Sequence, residues 1–272
     1  MAILEPFALA IGFLLSYLFD FTNSYGFSIV ILTVIINIVI FPLTLRQTRS
    51  TKRMQDAQSD IKKIQKEYKD NKEELNKAMA AMYKEKGINP LGCILPLIIQ
   101  MPIWFALFRV LREPLNFIPS DSNLFQNLDL HAGLAFFTMD LQVPPSEIAS
   151  WLERIPYLVL ILLVILTALF QQNQIQKKAG KSDNPQAQQM QMVGKVMPIF
   201  FGFISWTLPT GLVLYFLTGN IFRIGQQALI VKIDDKEVDN KKSNKKEEKN
   251  ETETDSPISD NSRKNRKKRR RK

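Results

Sequence analysis

The sequence predicts an all-α polytopic membrane protein with five transmembrane helices and a cytoplasmic helical hairpin. Hydrophobic residues make up 46% of the 272 residues and charged residues 23%, and the two kinds are segregated into long blocks. Several apolar blocks are long enough to cross a hydrocarbon core of about 30 Å as helices. Basic residues cluster in some of the connecting segments and are missing from others. A soluble domain would instead scatter its core residues along the chain.

The supply of reactive side chains excludes several kinds of site. Cys93 is the only cysteine and His131 the only histidine. A disulfide within the chain is therefore impossible, as is a cysteine-rich zinc site. We expect no catalytic residues, no metal, no cofactor and no dedicated small-molecule ligand, and we do not expect an enzyme.

The N-terminal region, residues 1–26, contains no Lys or Arg. A secretory signal would need a positive start, and a transit peptide would be rich in Arg. The apolar stretch from Phe7 to Phe19 lies between Glu5 and Asp20 and is short for a span. We predict an external helix in the membrane interface, and the alternative is an additional transmembrane helix.

Five later segments are predicted to span the membrane. The first ends just before a basic cluster that starts at Arg46. The last two come from one apolar run, residues 196–222, which Pro209 and Gly211 divide at a predicted turn, Leu208–Gly211. The predicted spans are about 27–45, 91–111, 155–171, 192–208 and 210–230.

The distribution of positive charge predicts the orientation, because basic residues favour the cytoplasmic side. Residues 46–90 hold twelve Lys and Arg, whereas residues 113–153, in the external loop 112–154, hold none. Five spans with the N-terminus outside place every basic connection and the basic tail, residues 231–272, in the cytoplasm. This predicts a multi-pass membrane protein with a disordered cytoplasmic tail.

The pattern of apolar residues in 46–88 predicts the cytoplasmic helical hairpin. Apolar residues recur there at steps of three and four, as on one face of a helix. Asn71 is suited to cap the second helix, with Glu74 three residues later, and Gly87 to end it. The apolar positions are Met54, Ala57, Ile61, Ile64, Tyr68, Leu75, Met79 and Met82.

Two amides are predicted at one depth in consecutive spans. At 1.5 Å per residue, Asn37 lies about 16 Å from the outer start of span one, and Gln100 reaches roughly the same level of span two. Lipid satisfies neither amide, so both are expected to face inward. One interpretation is a hydrogen bond between the two helices. The other is a wet polar cavity, which Pro96 and Pro102 favour by loosening the helix.

Three motifs resemble the YidC/Oxa/Alb family of membrane protein insertases, in its short, Gram-positive-like form. The first is NPLGCILP, residues 89–96, followed by Gln100-Met101-Pro102. The second is PTGLVLYF, residues 209–216, and the third is Tyr25-Gly26-Phe27 with Pro42-Leu43. With these three motifs, the resemblance extends over about residues 5–230.

The resemblance implies a five-helix core around a hydrophilic groove that opens to the cytoplasm and the lipid. It also implies a location in the bacterial cytoplasmic membrane. The two amides at one depth, Asn37 and Gln100, are the candidate groove residues. Trp206, as an interfacial aromatic anchor or a groove residue, and Asn220, which follows the second motif, are candidates for the groove or an interface. The family carries an arginine five residues before the Pro-Leu pair, where this chain has Asn37. The path of a client's apolar helix would follow Leu97, Met101, Phe105, Phe200 and Phe203.

The predicted function is therefore that of an insertase and chaperone for integral membrane proteins. Its expected partners are nascent membrane proteins and lipids, and the Sec translocon is a further candidate. The alternatives are a small transporter or channel and a structural scaffold, but we find no inverted repeat and no acidic residue within a span. The tail residues expected to contact ribosomes or anionic lipid are Arg263, Lys264, Arg266, Lys267, Lys268, Arg269, Arg270, Arg271 and Lys272.

Overall fold

The computed structural model describes residues 4–88, 95–129, 134–179 and 185–230, without the side chains at 51, 55, 95–99, 129, 175–179, 185–191, 193 and 195. The described chain is mostly helical. It divides into two units, residues 1–224 and 225–272, and residues 225–230 of the second are helical. The helices are α1 (Glu5–Thr22), α2 (Tyr25–Asp56), α3 (Gln58–Glu67), α4 (Lys72–Glu85), α5 (Leu95–Arg112), α6 (Asn123–Asp129), α7 (Trp151–Ala179), α8 (Pro185–Ile204) and α9 (210–230).

A tight reversal joins α1 to α2. Asn23 adopts the left-handed conformation, with φ of 49°, and its N–H donates to the carbonyl of Phe19. The hydroxyls of Thr22 and Ser28 lie 2.7 Å apart across the reversal. Helix α1 packs against α2 and α5 through a buried face, and its opposite face is apolar and exposed. The exposed residues are Phe7, Leu9, Phe13, Tyr17 and Phe21.

Among the described residues, three helical segments are long and apolar enough to cross a membrane: Glu5–Thr22, Tyr25–Met54 and Trp151–Gln174. The last two contain the predicted spans one and three. The first coincides with the predicted interfacial helix, so its length is compatible with the alternative of a further span. The interfacial placement of α1 stays a prediction.

The remaining predicted spans fall on α5, α8 and α9. Helix α8 ends at Ile204, four residues before the predicted end of span four, because residues 205–208 already form the turn. Helix α9 begins at 210, so Thr210 and Gly211 of the predicted turn are already helical. The first four residues of the predicted span two, 91–94, lie outside the described residues.

Helix α9 contacts four other helices, α2, α5, α7 and α8. The residues 212–215 near its start are nearly inaccessible to solvent. A Cβ atom on Gly211 would lie 3.1 Å from Ile29 of α2 and 3.7 Å from Leu111 of α5, so both helices pack closely against α9 at this glycine. Asn220 donates to the carbonyl of Val164 in α7 at 3.3 Å, and the Phe216 ring lies 5.9 Å from that of Phe201 in α8.

Residues 113–129 and 134–150 form a structured cap over one end of the helices, which we call the loop end. The cap contains α6, two short 3-10 turns and a strand pair, β1 (Ala135–Phe136) and β2 (Met139–Asp140). The Gly211 N–H donates to the carbonyl of Leu141 at 2.7 Å, and the Thr210 hydroxyl to that of Val143 at 2.6 Å. The Gly211 N–H belongs to the first turn of α9, where backbone donors have no partner within the helix.

The opposite end, which we call the hairpin end, continues from α2 into α3 and α4. Asn71 caps α4: its side-chain oxygen accepts from the N–H groups of Glu73 and Glu74 at 3.2 and 3.3 Å. Gly87, with φ of +60°, follows the end of α4 and terminates the helical hairpin. Both predictions are confirmed. Lys86 pairs with Asp60 between the two helices, and this hydrogen bond and charge lower the pKa of the Asp60 carboxyl.

Few apolar contacts hold the hairpin together. Its buried centre consists of Ala57, Met82 and Ile88, against which other side chains of the predicted stripe pack. Because so little apolar area is buried, helix capping and intrinsic helix propensity contribute a larger part of the stability of α3 and α4.

We predict that Asn71→Ala destabilises α4 by about 0.5–2 kcal/mol, because two N–H groups lose their acceptor. Hydrogen exchange of the first turn of α4 should accelerate. Asn76→Ala, in the exposed middle of the same helix, is the matched control and should leave exchange unchanged or slower. Equal effects of the two substitutions would show that the cap does not stabilise α4.

Candidate polar site between α2, α5 and α9

A hydrogen bond between side chains joins α5 to α9. The amide nitrogen Nε2 of Gln100 donates to the hydroxyl of Tyr215 at 2.8 Å. Tyr215 is only 2% exposed, and Gln100 is half-buried. Both partners lie in predicted spans, where lipid offers no acceptor or donor to replace a lost partner. The bond therefore holds α5 against α9 at a fixed register.

Asn37 lies on the inward face of α2 and is 8% exposed. Its amide nitrogen Nδ2 donates to the carbonyl of Thr33, one turn away, at 2.7 Å. The Thr33 hydroxyl in turn donates to the carbonyl of Ile29 at 2.6 Å. The side-chain nitrogens of Asn37 and Gln100 thus donate to different groups and not to each other. The two predicted amides therefore take part in separate polar contacts.

Arg223 of α9 brings a positive charge to the same region. Gly219 lies one turn nearer the loop end. If Gly219 carried a Cβ atom, that atom would lie 3.7 Å from Nη2 of Arg223 and 4.0 Å from the methyl carbon of Thr33. The guanidinium therefore lies back along α9, on the side facing α2. It is also within range of electrostatic interaction with Tyr215. We define the polar site as Thr33, Asn37, Gln100, Tyr215 and Arg223.

The polar site lies well inside the predicted membrane. Asn37 is twelve residues from the start of α2, or about 18 Å, and Arg223 is thirteen from the start of α9, or about 20 Å. In a core of about 30 Å, both levels are far from either surface. An arginine at the centre of a membrane helix costs about 2.5–3.5 kcal/mol on insertion scales, so such a residue normally faces a protein interior or water.

An aromatic seam borders the polar site. Trp104 of α5 stacks on Phe108 and on Phe216 of α9, with centroids 6.0 and 6.5 Å apart. Phe216 also contacts Phe201 of α8 edge to face. Since Phe216 follows Tyr215 directly, α9 presents polar and aromatic surfaces side by side. The seam joins α5, α8 and α9 without using the polar groups.

The other two candidate site residues lie elsewhere. The ring of Trp206 lies at the loop end, where the guanidinium carbon of Arg154 is 5.3 Å from its centroid. Its carbonyl accepts from the Ser146 N–H at 3.1 Å. Asn220 donates to α7, to the Val164 carbonyl and the Thr167 hydroxyl, both at 3.3 Å. Neither has a hydrogen bond to the polar site.

The residues assigned to the client path are exposed where the structure describes them. Met101 and Phe105, one turn apart on α5, are each 40% exposed. Phe200 and Phe203 of α8 are 51% and 77% exposed. The side chain of Leu97 lies outside the described residues, as do all the predicted tail contacts, 263–272. The described residues contain no group of three or more His, Cys, Asp and Glu side chains that could hold a metal ion.

Sequence reasoning did not assign three members of the polar site: Thr33, Tyr215 and Arg223. Arg223 had a clear signal, because it is the only charged residue in the predicted span 210–230. Tyr215 lies within the quoted motif PTGLVLYF, but nothing in the sequence pairs it with Gln100. Thr33 resembles any other small residue of an apolar helix.

The comparisons with known proteins agree with this architecture. The family model described as 60Kd inner membrane protein matches residues 17–237, most of the chain. The chain belongs to this family. The resemblance found in the sequence motifs is thereby confirmed, and the apolar helices make this family member a multi-pass membrane protein.

Relatives in the family include proteins named membrane protein insertase YidC. The one from Fusobacterium nucleatum subsp. nucleatum is 36% identical over 82% of this chain and 93% of its own length. That from Clostridium tetani is 32% identical over 88% of this chain and 96% of its own. The chain spans only 37% of the relative from Pelobacter propionicus, at 33% identity.

A solved structure shares the fold. It is titled as an active YidC insertase with the first transmembrane domain resolved, and it matches with a TM-score of 0.50 and 25% identity. The match covers 77% of this chain and 42% of the other, so the solved protein is considerably longer.

A double-mutant cycle tests the hydrogen bond between Gln100 and Tyr215. We predict a coupling energy of about 0.6 kcal/mol between Gln100→Leu and Tyr215→Phe, which is typical of hydrogen bonds between membrane helices. The measurement is reversible unfolding of the purified protein in mixed micelles. Pairing Gln100→Leu with Thr218→Val, whose hydroxyl bonds within its own helix, is the control and should show no coupling. A coupling indistinguishable from this control would contradict the assigned bond.

Proposed function

We propose that this protein inserts integral membrane proteins into the bilayer and assists their folding. One observation carries the proposal: a polar site with a half-buried arginine lies among α2, α5 and α9, about 18–20 Å from the loop end of these helices. The proposal is supported by membership of a family whose relatives are named membrane protein insertases.

The physical task of an insertase is to lower a desolvation barrier. Transfer of an unsatisfied polar group into hydrocarbon costs several kcal/mol. A hydrophilic groove around the polar site would shorten the apolar distance that a client's polar segment must cross. The driving force would come from the client's own apolar helix, at roughly 0.3–0.6 kcal/mol for each Leu or Ile transferred. This mechanism requires no nucleotide and no cofactor.

We infer a five-span arrangement with the N-terminus outside and the hairpin end in the cytoplasm. The cap over the loop end would close the groove on the outer side, and the basic connections would remain inside. The client's polar segment would then enter from the hairpin end. The exposed apolar side chains of α5 and α8, including Met101, Phe105, Phe200 and Phe203, would guide its apolar helix into lipid.

The basic tail would bring ribosomes or anionic lipid to the cytoplasmic surface. Its final residues, RKNRKKRRRK, are rich in positive charge and suit phosphate groups of either partner. The Sec translocon is a further candidate partner.

Replacing the two amides together, by Asn37→Leu and Gln100→Leu, should reduce insertion of small one- and two-span clients severalfold. Leucine would remove hydrogen-bonding groups from the groove and leave the helices apolar. The assay is protease protection of clients in proteoliposomes at matched protein level.

The matched control makes the same kind of change at the loop end, Asn116→Leu with Gln126→Leu, where both side chains are outside the polar site. Full insertion with the groove variant would refute the role of the amides. Loss of a solute flux with unchanged insertion would favour the transporter alternative.

Deletion of residues 231–272 should abolish salt-sensitive co-sedimentation with ribosomes. Binding through phosphate contacts weakens steeply as salt rises, because counterions are released on binding. A chain of the same length with the tail's basic residues replaced by Gln is the control for length. Retention of ribosome binding by both variants would exclude the tail as the contact.

A further inference from the structure

We propose that a cavity between the end of α5 and the cap binds the headgroup of one phospholipid that carries a phosphate and a primary ammonium. This inference goes beyond the proposed insertase function and does not depend on it. The cavity is open to its surroundings and has a volume of about 400 Å³, within the usual range of ligand pockets. It is lined by residues 111–116 together with Leu128 and Gln142.

The wall of the cavity carries one cation and one anion, Arg112 and Glu113, and both side chains are exposed. In the part of the chain that the structure describes, neither takes part in an ion pair, although they are neighbours in the sequence. The Glu113 carboxylate accepts a hydrogen bond through Oε2 from the amide nitrogen of Asn116 at 3.2 Å. This bond orients the carboxylate and leaves its charge available to a ligand.

The exposed face of α5 leads to this cavity. Met101 and Phe105 are each 40% exposed, and Arg112 follows Met101 after eleven residues, or about three turns, on the same face of the helix. The Arg112 guanidinium carbon lies 5.6 Å from the centroid of the Phe108 ring, one turn back along α5. The face from 101 to 112 is about 16 Å long, roughly half the thickness of a hydrocarbon core. It therefore suits the acyl chain of a lipid in one leaflet.

The two charges indicate the class of headgroup. A guanidinium binds phosphate oxygens through parallel N–H donors, and a carboxylate accepts hydrogen bonds from an ammonium. A headgroup with a phosphate and no ammonium would oppose a second negative charge to Glu113. A quaternary ammonium is usually held by aromatic rings, and no aromatic residue is among the described residues that line this cavity. The ligand that fits is therefore a phospholipid with a primary ammonium, such as phosphatidylethanolamine.

The apolar part of the cavity wall favours a lipid over a soluble zwitterion. Leu111 and Leu128 are each only 2% exposed, whereas Leu115 is 44% exposed and can contact the glycerol and first methylene groups. Since Arg112 belongs to α5 and Glu113 to the cap, a lipid held by both would join the helix to the cap.

The experiment measures lipid binding to the whole chain in neutral micelles by native mass spectrometry. It compares phosphatidylethanolamine, phosphatidylcholine and phosphatidylglycerol with the same acyl chains. The wild-type protein should bind phosphatidylethanolamine at least about threefold more tightly than either of the others, which is the scale of one exposed ion pair. Equal binding of the three lipids would overturn the proposal, because it would show only general contact with lipid.

Two substitutions separate the two halves of the headgroup. Arg112→Gln should weaken binding of phosphatidylethanolamine and phosphatidylglycerol alike, by at least about threefold, because both lose the partner of their phosphate. Glu113→Gln should weaken binding of phosphatidylethanolamine by a similar factor and should not weaken binding of phosphatidylglycerol, because only the former has an ammonium.

The matched controls remove the same charges outside the cavity. Arg109→Gln removes a cation about one turn earlier on α5, whose guanidinium carbon lies 4.8 Å from the centroid of the Phe117 ring. Asp121→Asn removes an exposed carboxylate of the cap. Both variants should keep the preference for phosphatidylethanolamine. If Arg112→Gln and Glu113→Gln keep it as well, the lipid binds elsewhere and the proposal is wrong.

A competition experiment distinguishes a lipid from a free zwitterion. Glycerophosphoethanolamine has the same headgroup without acyl chains, and a large excess of it should not displace the bound lipid. Displacement would show that the face of α5 contributes nothing to binding, and it would overturn the assignment to a lipid.

Hydrogen exchange locates the bound lipid. The amides of residues 113–117 should exchange more slowly in nanodiscs that contain phosphatidylethanolamine than in nanodiscs of phosphatidylcholine alone, because the headgroup would hold this turn in place. Glu113→Gln should remove the difference, whereas Asp121→Asn should retain it. Exchange that is equal in the two kinds of nanodisc for the wild-type protein would place the lipid away from the cavity and contradict the proposal.

Discussion

The absence of hydrogen-bonding partners in lipid is the constraint on which the rest of this structure depends. A glutamine, a tyrosine, an asparagine and an arginine all lie in predicted spans, and none can be satisfied by acyl chains. Gln100 and Tyr215 meet where α5 packs on α9, and the Arg223 guanidinium lies on the side of α9 that faces α2. The bond from Gln100 to Tyr215 fixes α5 against α9, and the backbone bond of Asn37 keeps its amide on the inward face of α2. The polar side chains thus determine which helix faces turn inward.

Apolar and aromatic contacts on both sides of Tyr215 pack α9 against its neighbouring helices. Most fully buried side chains of α9 lie at its start, next to the cap, where Gly211 and Thr210 bond to the loop residues. The aromatic seam around Trp104 and Phe216 then closes the contact between α5, α8 and α9. The part of α9 beyond this packing carries Gly219 and Arg223. Tyr215 lies in the tightly packed start of α9 and joins that packing to the polar site.

The sequence predicted the features that follow from local patterns. Apolar blocks gave the helical class, Asn71 and Gly87 marked a cap and an end of the hairpin, and Pro209 with Gly211 marked the turn before α9. It did not predict the strand pair of the cap, because two-residue strands leave almost no periodic signal. Nor did it predict the partner of Gln100, because a contact between residues 100 and 215 depends on the packing of whole helices. The five-span topology and the groove itself remain predictions.

The most direct test of a hydrated groove is the accessibility of its two amide positions to water. Single cysteines at positions 37, 100 and 212, in a Cys93→Ala background, are treated with a membrane-impermeant thiol reagent from the hairpin side. We predict labelling at 37 and 100 and none at 212, since Leu212 is fully buried in the apolar core. If positions 37 and 100 stay as unreactive as position 212, the polar site is a dry helix contact and the account of its function is wrong.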